Sequence, residues 1–381
     1  MSDTAVFLPG STIGVMGSGQ LGRMFAIAAR RMGYRVHTFS PEKNTPTGQV
    51  ADLEVSAAYE DESAVRAFAE GLDVLTFEFE NIPVQSIQWA AESCVVRPSG
   101  RVLHVCQHRL REKEFLRAAG LPLPEFVEVH SAVALREAVG RLGTPSVLKT
   151  AAFGYDGKGQ RKITADSDLA EVWSGFEGQA AVLEAWVPFE REISVLVARS
   201  ISGETAVYPV CENAHANHVL DLTLVPARIS EAQAQEARHL AERAASALEL
   251  VGLLAVEMFL LPNGSILINE MAPRPHNSGH FSFDASVTSQ FEQQLRAVCG
   301  LPLGAPDLLC PAAMANLLGD VWSGGEPDWA AAAALPFVKI HLYGKAQPRL
   351  GRKMGHLVGL GGSLEEAAAR VCEARRRLQR L

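Results

Sequence analysis

A chain of 381 residues, 48% hydrophobic and 20% charged, is too long for one ordinary core and favours two or three domains. Its net charge of -8 argues against a nucleic-acid surface, and no run approaches the roughly 18 apolar residues of a membrane span. The amino terminus lacks the basic region and cleavage site of a signal peptide, and six cysteines are scattered without C-x-x-C spacing, so free thiols and a cytoplasmic location are expected.

Thr12 to Met16 reads as a short apolar strand, followed by Gly17-Ser18-Gly19-Gln20-Leu21-Gly22 and an amphipathic helix through Arg31. This is G-x-G-x-x-G in its strand-to-helix setting. A second strand, Arg35 to Phe39, runs into Ser40 and Pro41, with Glu42 only a weak substitute for a ribose-binding acid, so a dinucleotide site is underdetermined. What survives is an amide-lined site for some phosphate, or glycines serving strand-helix packing alone. Helix Ser63 to Ala69, strand Asp73 to Thr76 and helix Pro83 to Ala91 continue the alternation of a doubly wound parallel sheet. The acids of Thr76-Phe77-Glu78-Phe79-Glu80-Asn81 stand at the carboxyl end of a parallel strand, where such sheets bind ligands, or they cap the next helix. A basic helix, Arg101 to Ala119, then leads to the connector Leu121-Pro122-Leu123-Pro124 and a first domain boundary.

Helix Ala132 to Leu142 and strand Ser146 to Lys149 open a second unit. Lys149 precedes a glycine-rich run, residues 151–160, that is not a Walker loop. Its glycines beside a strand-end lysine can close over phosphates through backbone N–H groups and one point charge, or they form a plain hairpin turn. Strand Ala180 to Glu184, the link Ala185-Trp186-Val187 and Glu192 at the head of strand Ile193 to Ala198 suit an adenine and ribose slot, although surface strand charges fit the spacing equally.

A long helix, Ile229 to Leu250, precedes two apolar runs flanking Pro262-Asn263-Gly264-Ser265. Asn-Gly between such runs signals a hairpin. With Asn263 and Gly264 as a two-residue loop, Leu260 faces Leu267 and Glu257 faces Glu270 on one face. Two carboxylates about 5 Å apart at an effective dielectric of about 20 repel by about 3 kcal/mol. A shared proton or a cation offsets this, and hard carboxylate oxygens suit magnesium carrying nucleotide phosphates; two glutamates at solvated strand ends are the alternative. The irregular run from Pro273 to His280 gathers Arg274, His276, Asn277 and His280, and reads as an anion or substrate loop. Helix Val287 to Cys299, a helix over Ala330 to Ala334, strand Phe337 to Leu342 and helix Ser363 to Leu378 complete the chain. Before the last helix Lys345, Arg349, Arg352 and Lys353 lie solvated or grip a phosphate.

Five segments in order, GSGQLGRM at 17–24, TFEFENIP at 76–83, FGYDGKGQ at 153–160, LINEMAPRPHNSGH at 267–280 and GRKMGHL at 351–357, resemble the N5-carboxyaminoimidazole ribonucleotide synthetases of the ATP-grasp superfamily. The resemblance covers essentially the whole chain. It implies an ATP-grasp fold with an amino-terminal doubly wound parallel-sheet domain (residues 1–120), a small α+β lid (121–190) and a carboxyl-terminal α+β domain (191–381). It also implies ATP and Mg2+ as cofactors, a homodimer, and bicarbonate joined to the amine of aminoimidazole ribonucleotide in purine biosynthesis. By the same resemblance Arg109, Lys149, Gly154, Tyr155, Asp156, Gly157, Lys158, Gly159, Gln160, Glu184, Ala185, Trp186, Val187, Glu192, His215 and Asn269 contact ATP. Glu257 and Glu270 match the metal ligands, in agreement with the register argument, and Glu270 also borders the nucleotide. Gln20, Leu21, Glu78, Tyr155, Asp156, Lys345 and Arg352 match the ribonucleotide contacts, while Lys149, Arg274, His276 and Asn277 match the catalytic neighbourhood where bicarbonate reacts. Relatives often carry arginine where Lys158 stands, which removes a bidentate contact but keeps the charge. Residues 1–11 extend beyond the pattern and are expected to fray.

Three rivals compete with this reading. A formate-dependent glycinamide ribonucleotide transformylase shares the lid and the acid pair, but the run from Pro275 to His280 fits the carboxylating branch better. An NAD-dependent dehydrogenase explains Gly17 to Gly22 and nothing after residue 110. A nucleotide-binding scaffold without activity does not account for both acids together with Lys149.

Overall fold

The computed structural model describes residues 4–152, 159–176 and 179–379. The first sheet is parallel throughout and alternates with helices: β1 (Thr12–Met16), α1 (Gln20–Arg31), β2 (Arg35–Ser40), β3 (Leu53–Ser56), α2 (Glu62–Glu70), β4 (Val74–Phe77), α3 (Val84–Ala91) and β5 (Val95–Val96). Its order, β3-β2-β1-β4-β5, is that of a doubly wound sheet. The amino-terminal segment is pinned rather than frayed from Ala5 onward. Phe7 N donates to Cys299 O at 2.8 Å, and Arg97 Nη1 to Ala5 O at 3.0 Å.

The basic stretch after β5 forms two helices, α4 (Gly100–Cys106) and α5 (Arg109–Ala118), not one. The break has a tertiary cause: His108 bridges to Ala152, Arg109 N donates to Ala151 O at 2.7 Å, and Gln107 Nε2 donates to Glu80 O and Ile82 O, each at 3.1 Å.

Next come β6 (Phe126–Val129), α6 (Ala132–Leu142), β7 (Ser146–Thr150), β8 (Gln160–Ile163), α7 (Leu169–Ser174) and β9 (Ala181–Ala185). The four strands form an antiparallel sheet in the order β6-β9-β7-β8. The glycine-loop residues Gly154, Tyr155, Asp156, Gly157 and Lys158 lie outside the described residues.

The third sheet begins with β10 (Arg191–Arg199), β11 (Thr205–Val207), β12 (Cys211–Ala216) and β13 (Val219–Val225). After α8 (Glu231–Ala247) come β14 (Gly252–Leu260) and β15 (Ile266–Ala272), then α9 (Ser282–Ala285) and α10 (Gln290–Cys299). The chain ends with β16 (Ala312–Leu318), α11 (Trp329–Ala333), β17 (Val338–Leu342), β18 (Lys353–Leu360) and α12 (Leu364–Leu378). The sheet order is β15-β14-β10-β12-β13-β16-β18-β17, with β11 on β10. Ala237, Leu240, Ala241 and Ala244 of α8 pack onto Val195, Val197, Leu254 and Val256 of this sheet. Phe291, Leu295 and Val298 of α10 share a core with Met24, Phe25 and Ala28 of α1, so α10 is the seam between the first and third sheets. It starts at Gln290 instead of Val287 because Val287 N is spent on Asp307 O and Ser289 is the N-cap, accepting from Glu292 N.

The β14–β15 hairpin keeps the expected pairing of Glu257 with Glu270, but by a different route. Leu261 N donates to Ser265 O and Gly264 has φ +85°, so the loop is three residues, Pro262 to Gly264, and Leu260 pairs with Ile266 instead of Leu267. A bulge opposite the step from Glu257 to Met258 then takes up Asn269 and shifts the register back by one residue.

Candidate active site

At the carboxyl end of the parallel sheet the loop between β1 and α1 meets the residue after β4. The buried Glu78 carboxylate accepts from Gly22 N at 2.6 Å and from Gly19 N. The anion at this helix terminus is thus supplied by the chain itself, where the sequence had suggested a phosphate. The glycines allow that contact: a Cβ on Gly17 would lie 2.4 Å from Glu78 Cγ, and one on Gly19 would lie 2.7 Å from Glu78 Oε1. Burial pushes the Glu78 carboxyl up, against the pull of Gly22 and Gly19 N–H and of Arg274 and Lys345. Ser40 faces Ser18, hydroxyl to hydroxyl at 2.6 Å, and Glu42 is exposed, so the position that holds a ribose in a dinucleotide site carries no acid.

One cavity of about 530 Å³ opens beside this loop and draws its walls from distant parts of the chain. Gln20, Leu21, Glu78 and Glu80 come from the first sheet's edge, Arg109 and Glu112 from α5, Glu257 and Glu270 from the hairpin, Arg274, His276 and Asn277 from the loop after it, and Lys353 from β18. Arg274 Nε meets Glu80 Oε1 at 2.8 Å, tying the TFEFENIP segment to the substrate loop. Arg109 Nη2 lies 3.7 Å from Glu270 Oε2, and its Nη1 donates to Thr150 O at 3.2 Å.

His276 is held on a one-way chain of buried hydrogen bonds. Thr223 Oγ1 donates to Asn213 Oδ1 (3.1 Å), Asn213 Nδ2 to Ser194 Oγ (2.9 Å), and Ser194 Oγ to Ser278 Oγ (2.8 Å). The Ser278 hydroxyl is then free to donate to His276 Nδ1 at 2.9 Å, which leaves Nε2 facing Glu257 Oε1 at 3.1 Å. Burial alone would raise the Glu257 carboxyl, but His276, His215 and Lys353 hold it below its ordinary value. Glu112 moves the other way, raised by burial and by Glu270, while accepting Met271 N at 3.1 Å. The side chain of Asn277, a residue 8% exposed, has neither its Nδ2 nor its Oδ1 paired among the described residues. A buried amide left unpaired is costly unless a ligand satisfies it.

Lys149 does not line this cavity; it belongs to an adjoining buried cluster. The Glu184 carboxylate bridges Lys149 Nζ (3.0 Å) and Lys113 Nζ (3.2 Å). Asn269, turned in by the bulge, accepts from Lys149 at Oδ1 (3.5 Å) and from Lys113 at its carbonyl (3.4 Å). Two ammonium groups against one carboxylate leave a net positive charge next to the cavity. Glu184 is therefore an internal counter-ion rather than an open carboxylate of a ribose slot. Burial pushes its carboxyl up, but Lys113 and Lys149 outweigh that and hold it at about 2. Such a group stabilises the fold fully above its unfolded pKa of 4.5, and that contribution is lost as pH falls towards 2. The stability difference between the protein and Glu184→Gln, followed by urea unfolding, should shrink across that window; a constant difference would contradict it.

Farther along, Trp186 carries Lys162 Nζ 3.9 Å above its ring, Ala185 N donates to Glu125 O, and Val187 O accepts from Phe189 N. Glu192 Oε2 meets His215 Nδ1 at 2.6 Å. Burial lowers the His215 pKa, but Glu192 and Glu257 raise it on balance. Gly159 has φ +71° and Gln160 pairs with Lys149 across β7 and β8. Lys345 Nζ donates to Lys353 O at 2.7 Å, whereas Arg352 Nη1 turns to Gln347 O at 3.0 Å and Lys353 reaches the cavity instead. The sequence raises Glu80 and Lys353 only as open alternatives, and its pattern does not single out Gln107, Glu112 or Lys113. A signal for the last two is present, since Glu112 and Lys113 stand three and four residues after Arg109 on one helical face.

The profile of the ATP-grasp domain matches residues 114–291, that of the ribonucleotide synthetase preATP-grasp domain matches 11–107, and that of the phosphoribosylaminoimidazole carboxylase C-terminal domain matches 312–370. Fold and site thus define an ATP-grasp protein. The chain is 45% identical over 352 residues to N5-carboxyaminoimidazole ribonucleotide synthase of Bacillus subtilis, covering 92% of each chain. It is 42% identical over 360 residues to that of Brucella melitensis, covering 93% of this chain and 98% of the other. The solved ADP complex of purK, N5-carboxyaminoimidazole ribonucleotide synthetase, superposes with a TM-score of 0.93 at 46% identity, covering 97% of this chain and 98% of that one. The Aspergillus clavatus synthase, in complex with ADP and 5-aminoimidazole ribonucleotide, gives 0.89 at 31% identity over 98% and 99%. The chain belongs to the N5-carboxyaminoimidazole ribonucleotide synthase family.

Proposed function

We propose that the chain carboxylates the amine of 5-aminoimidazole ribonucleotide with bicarbonate, at the expense of ATP, giving N5-carboxyaminoimidazole ribonucleotide, ADP and phosphate in purine biosynthesis. The observation that carries this reading is the single cavity in which the Glu257 and Glu270 pair, the Arg274 to Asn277 loop and the Gln20, Leu21 and Glu78 edge face one another. Residues 1–120, 121–190 and 191–381 are taken as its substrate, lid and ATP-grasp units. A cytoplasmic homodimer comes with the reading from the family resemblance.

Bicarbonate is a weak nucleophile and a worse electrophile. In the reaction proposed, one of its oxygens attacks the γ-phosphorus, the bond to the β-bridging oxygen breaks, and ADP leaves. The amine of the ribonucleotide then attacks the carbonyl carbon of the resulting carboxyphosphate. The bond between that carbon and the oxygen bridging to phosphorus breaks, phosphate leaves with this oxygen, and the amine gives up a proton. The net positive charge around Lys113, Glu184, Lys149 and Asn269 faces the phosphates and offsets charge developing on the transferred group. Arg274, fixed by Glu80, and His276, fixed through Ser278, hold bicarbonate, and the buried Asn277 amide finds its partner there. Trp186 and the link around it border the adenine, with Glu192 and His215 beside the ribose; Glu78 and Lys345 border the ribonucleotide, together with Lys353.

Magnesium fits the donor set. Glu257 and Glu270 offer hard oxygens from directly opposed positions, and among the described residues no group of three or more His, Cys, Asp or Glu side chains is arranged to hold a metal by itself. Two carboxylates completed by phosphate oxygens and water suit a nucleotide-borne Mg2+. When bound, the ion supplies charge neutralisation at the β- and γ-phosphates. The test is carbon NMR with 13C-bicarbonate: a carbamate signal on the ribonucleotide that requires ATP is expected, and ATP consumption without that signal would overturn the assignment.

A further inference from the structure

The helix at the seam carries three fully buried glutamines, Gln290, Gln293 and Gln294, on its otherwise apolar inner face. Each buries an amide that could instead be an aliphatic chain, and each uses it on backbone or side-chain groups elsewhere in the chain. Gln290 grips both main-chain polar groups of His276: its Oε1 accepts His276 N at 2.8 Å and its Nε2 donates to His276 O at 2.7 Å. The same Nε2 lies 3.1 Å from His280 Nδ1. Gly279 lacks a side chain where this grip passes, since a Cβ there would stand 2.5 Å from Gln290 Oε1. Gln294, one turn on, accepts Leu253 N at 2.6 Å and donates to Thr76 Oγ1 at 2.9 Å, two residues before Glu78.

We infer that Gln290 is a positioning residue for the reaction, acting through the backbone of His276 to set the Arg274 to Asn277 loop against Glu257. The inference rests on the reading of that loop as the bicarbonate site. The two hydrogen bonds hold the successive peptide groups on either side of the His276 Cα, and with them the direction in which its side chain leaves the loop. The loop is otherwise irregular, with only a short 3-10 turn at Asn277–Gly279. Small displacements of a reacting group cost large factors in rate, so an amide far from the substrate can govern the step. Gln293 is a built-in control. It is equally buried on the same helix and makes the same double grip, but on Gly304, accepting its N at 2.8 Å and donating to its O at 2.7 Å, away from the cavity.

The experiment compares Gln290→Met, Gln293→Met and Gly279→Ala in the full-length protein. It reads thermal stability together with KM for bicarbonate and for ATP. Both methionine variants should lose similar stability. Gln290→Met and Gly279→Ala should raise KM for bicarbonate about tenfold or more while KM for ATP stays within about twofold, and Gln293→Met should change neither. Equal rises in both KM values, or the same rise in Gln293→Met, would overturn the inference. If Gln290→Met fails to fold, Gly279→Ala alone decides it. Failure of the functional reading shows separately, as wild-type turnover that does not saturate with bicarbonate.

Discussion

Glu270→Gln is expected to lower turnover by about 10²-fold or more and to raise the magnesium requirement, while the protein unfolds at an unchanged or higher temperature. The two expectations have one cause. Glu270 faces Glu257 across the hairpin and raises the buried Glu112, so in the unliganded protein its charge is a burden offset only in part by Arg109 at 3.7 Å. A neutral amide of the same shape relieves that repulsion, as a proton would, but offers a metal ion a poorer ligand. Magnesium titration of the variant, with thermal unfolding alongside, checks both arms. Near-normal turnover at limiting magnesium would sink the assignment of the acid pair.

Lys149→Met should lower kcat/KM for ATP by about 10²- to 10³-fold with little loss of fold. Lys149 is one of two cations on Glu184, and the other, Lys113 at 3.2 Å, remains. The buried cluster then goes from a net positive charge to neutrality, which the protein tolerates and the phosphates do not. Far-UV circular dichroism and a melting curve should match the parent, and the kinetic loss should appear with ATP rather than with the ribonucleotide. An equal loss on both substrates would place Lys149 outside the nucleotide site.

The pairing of Glu257 with Glu270 was legible in the sequence, though the argument from Asn263-Gly264 reached it through two errors that cancel. The true loop has one more residue, and the bulge at Asn269 takes the register back. That bulge is what presents Asn269 to Lys149, so the irregularity hidden from pattern reading is part of the site. The doubly wound first sheet was legible because its strands alternate with amphipathic helices. The β12 to β13 hairpin was not, since its turn uses Asn217 and His218 at φ +50° and +65° where the expected signal is Asn-Gly. β18 was missed as well, because Gly355 interrupts it; the glycine is there for the approach of His341 O, 2.4 Å from where a Cβ would stand. The partner of the glycine-loop amides, Glu78, comes from 56 residues beyond Gly22, and the partner of Glu184, Lys113, from another helix. Such pairings depend on tertiary folding, which local periodicity does not encode. The buried glutamines of α10 did leave a trace, as polar residues three and four positions apart on an apolar face.

The most direct measurement of the account is phosphate release by the purified protein with ATP and magnesium, omitting bicarbonate and aminoimidazole ribonucleotide in turn. Full release only when both are present, one phosphate per carboxylated product, is the result predicted. Release supported equally by formate with glycinamide ribonucleotide, or no release under any combination, would contradict it.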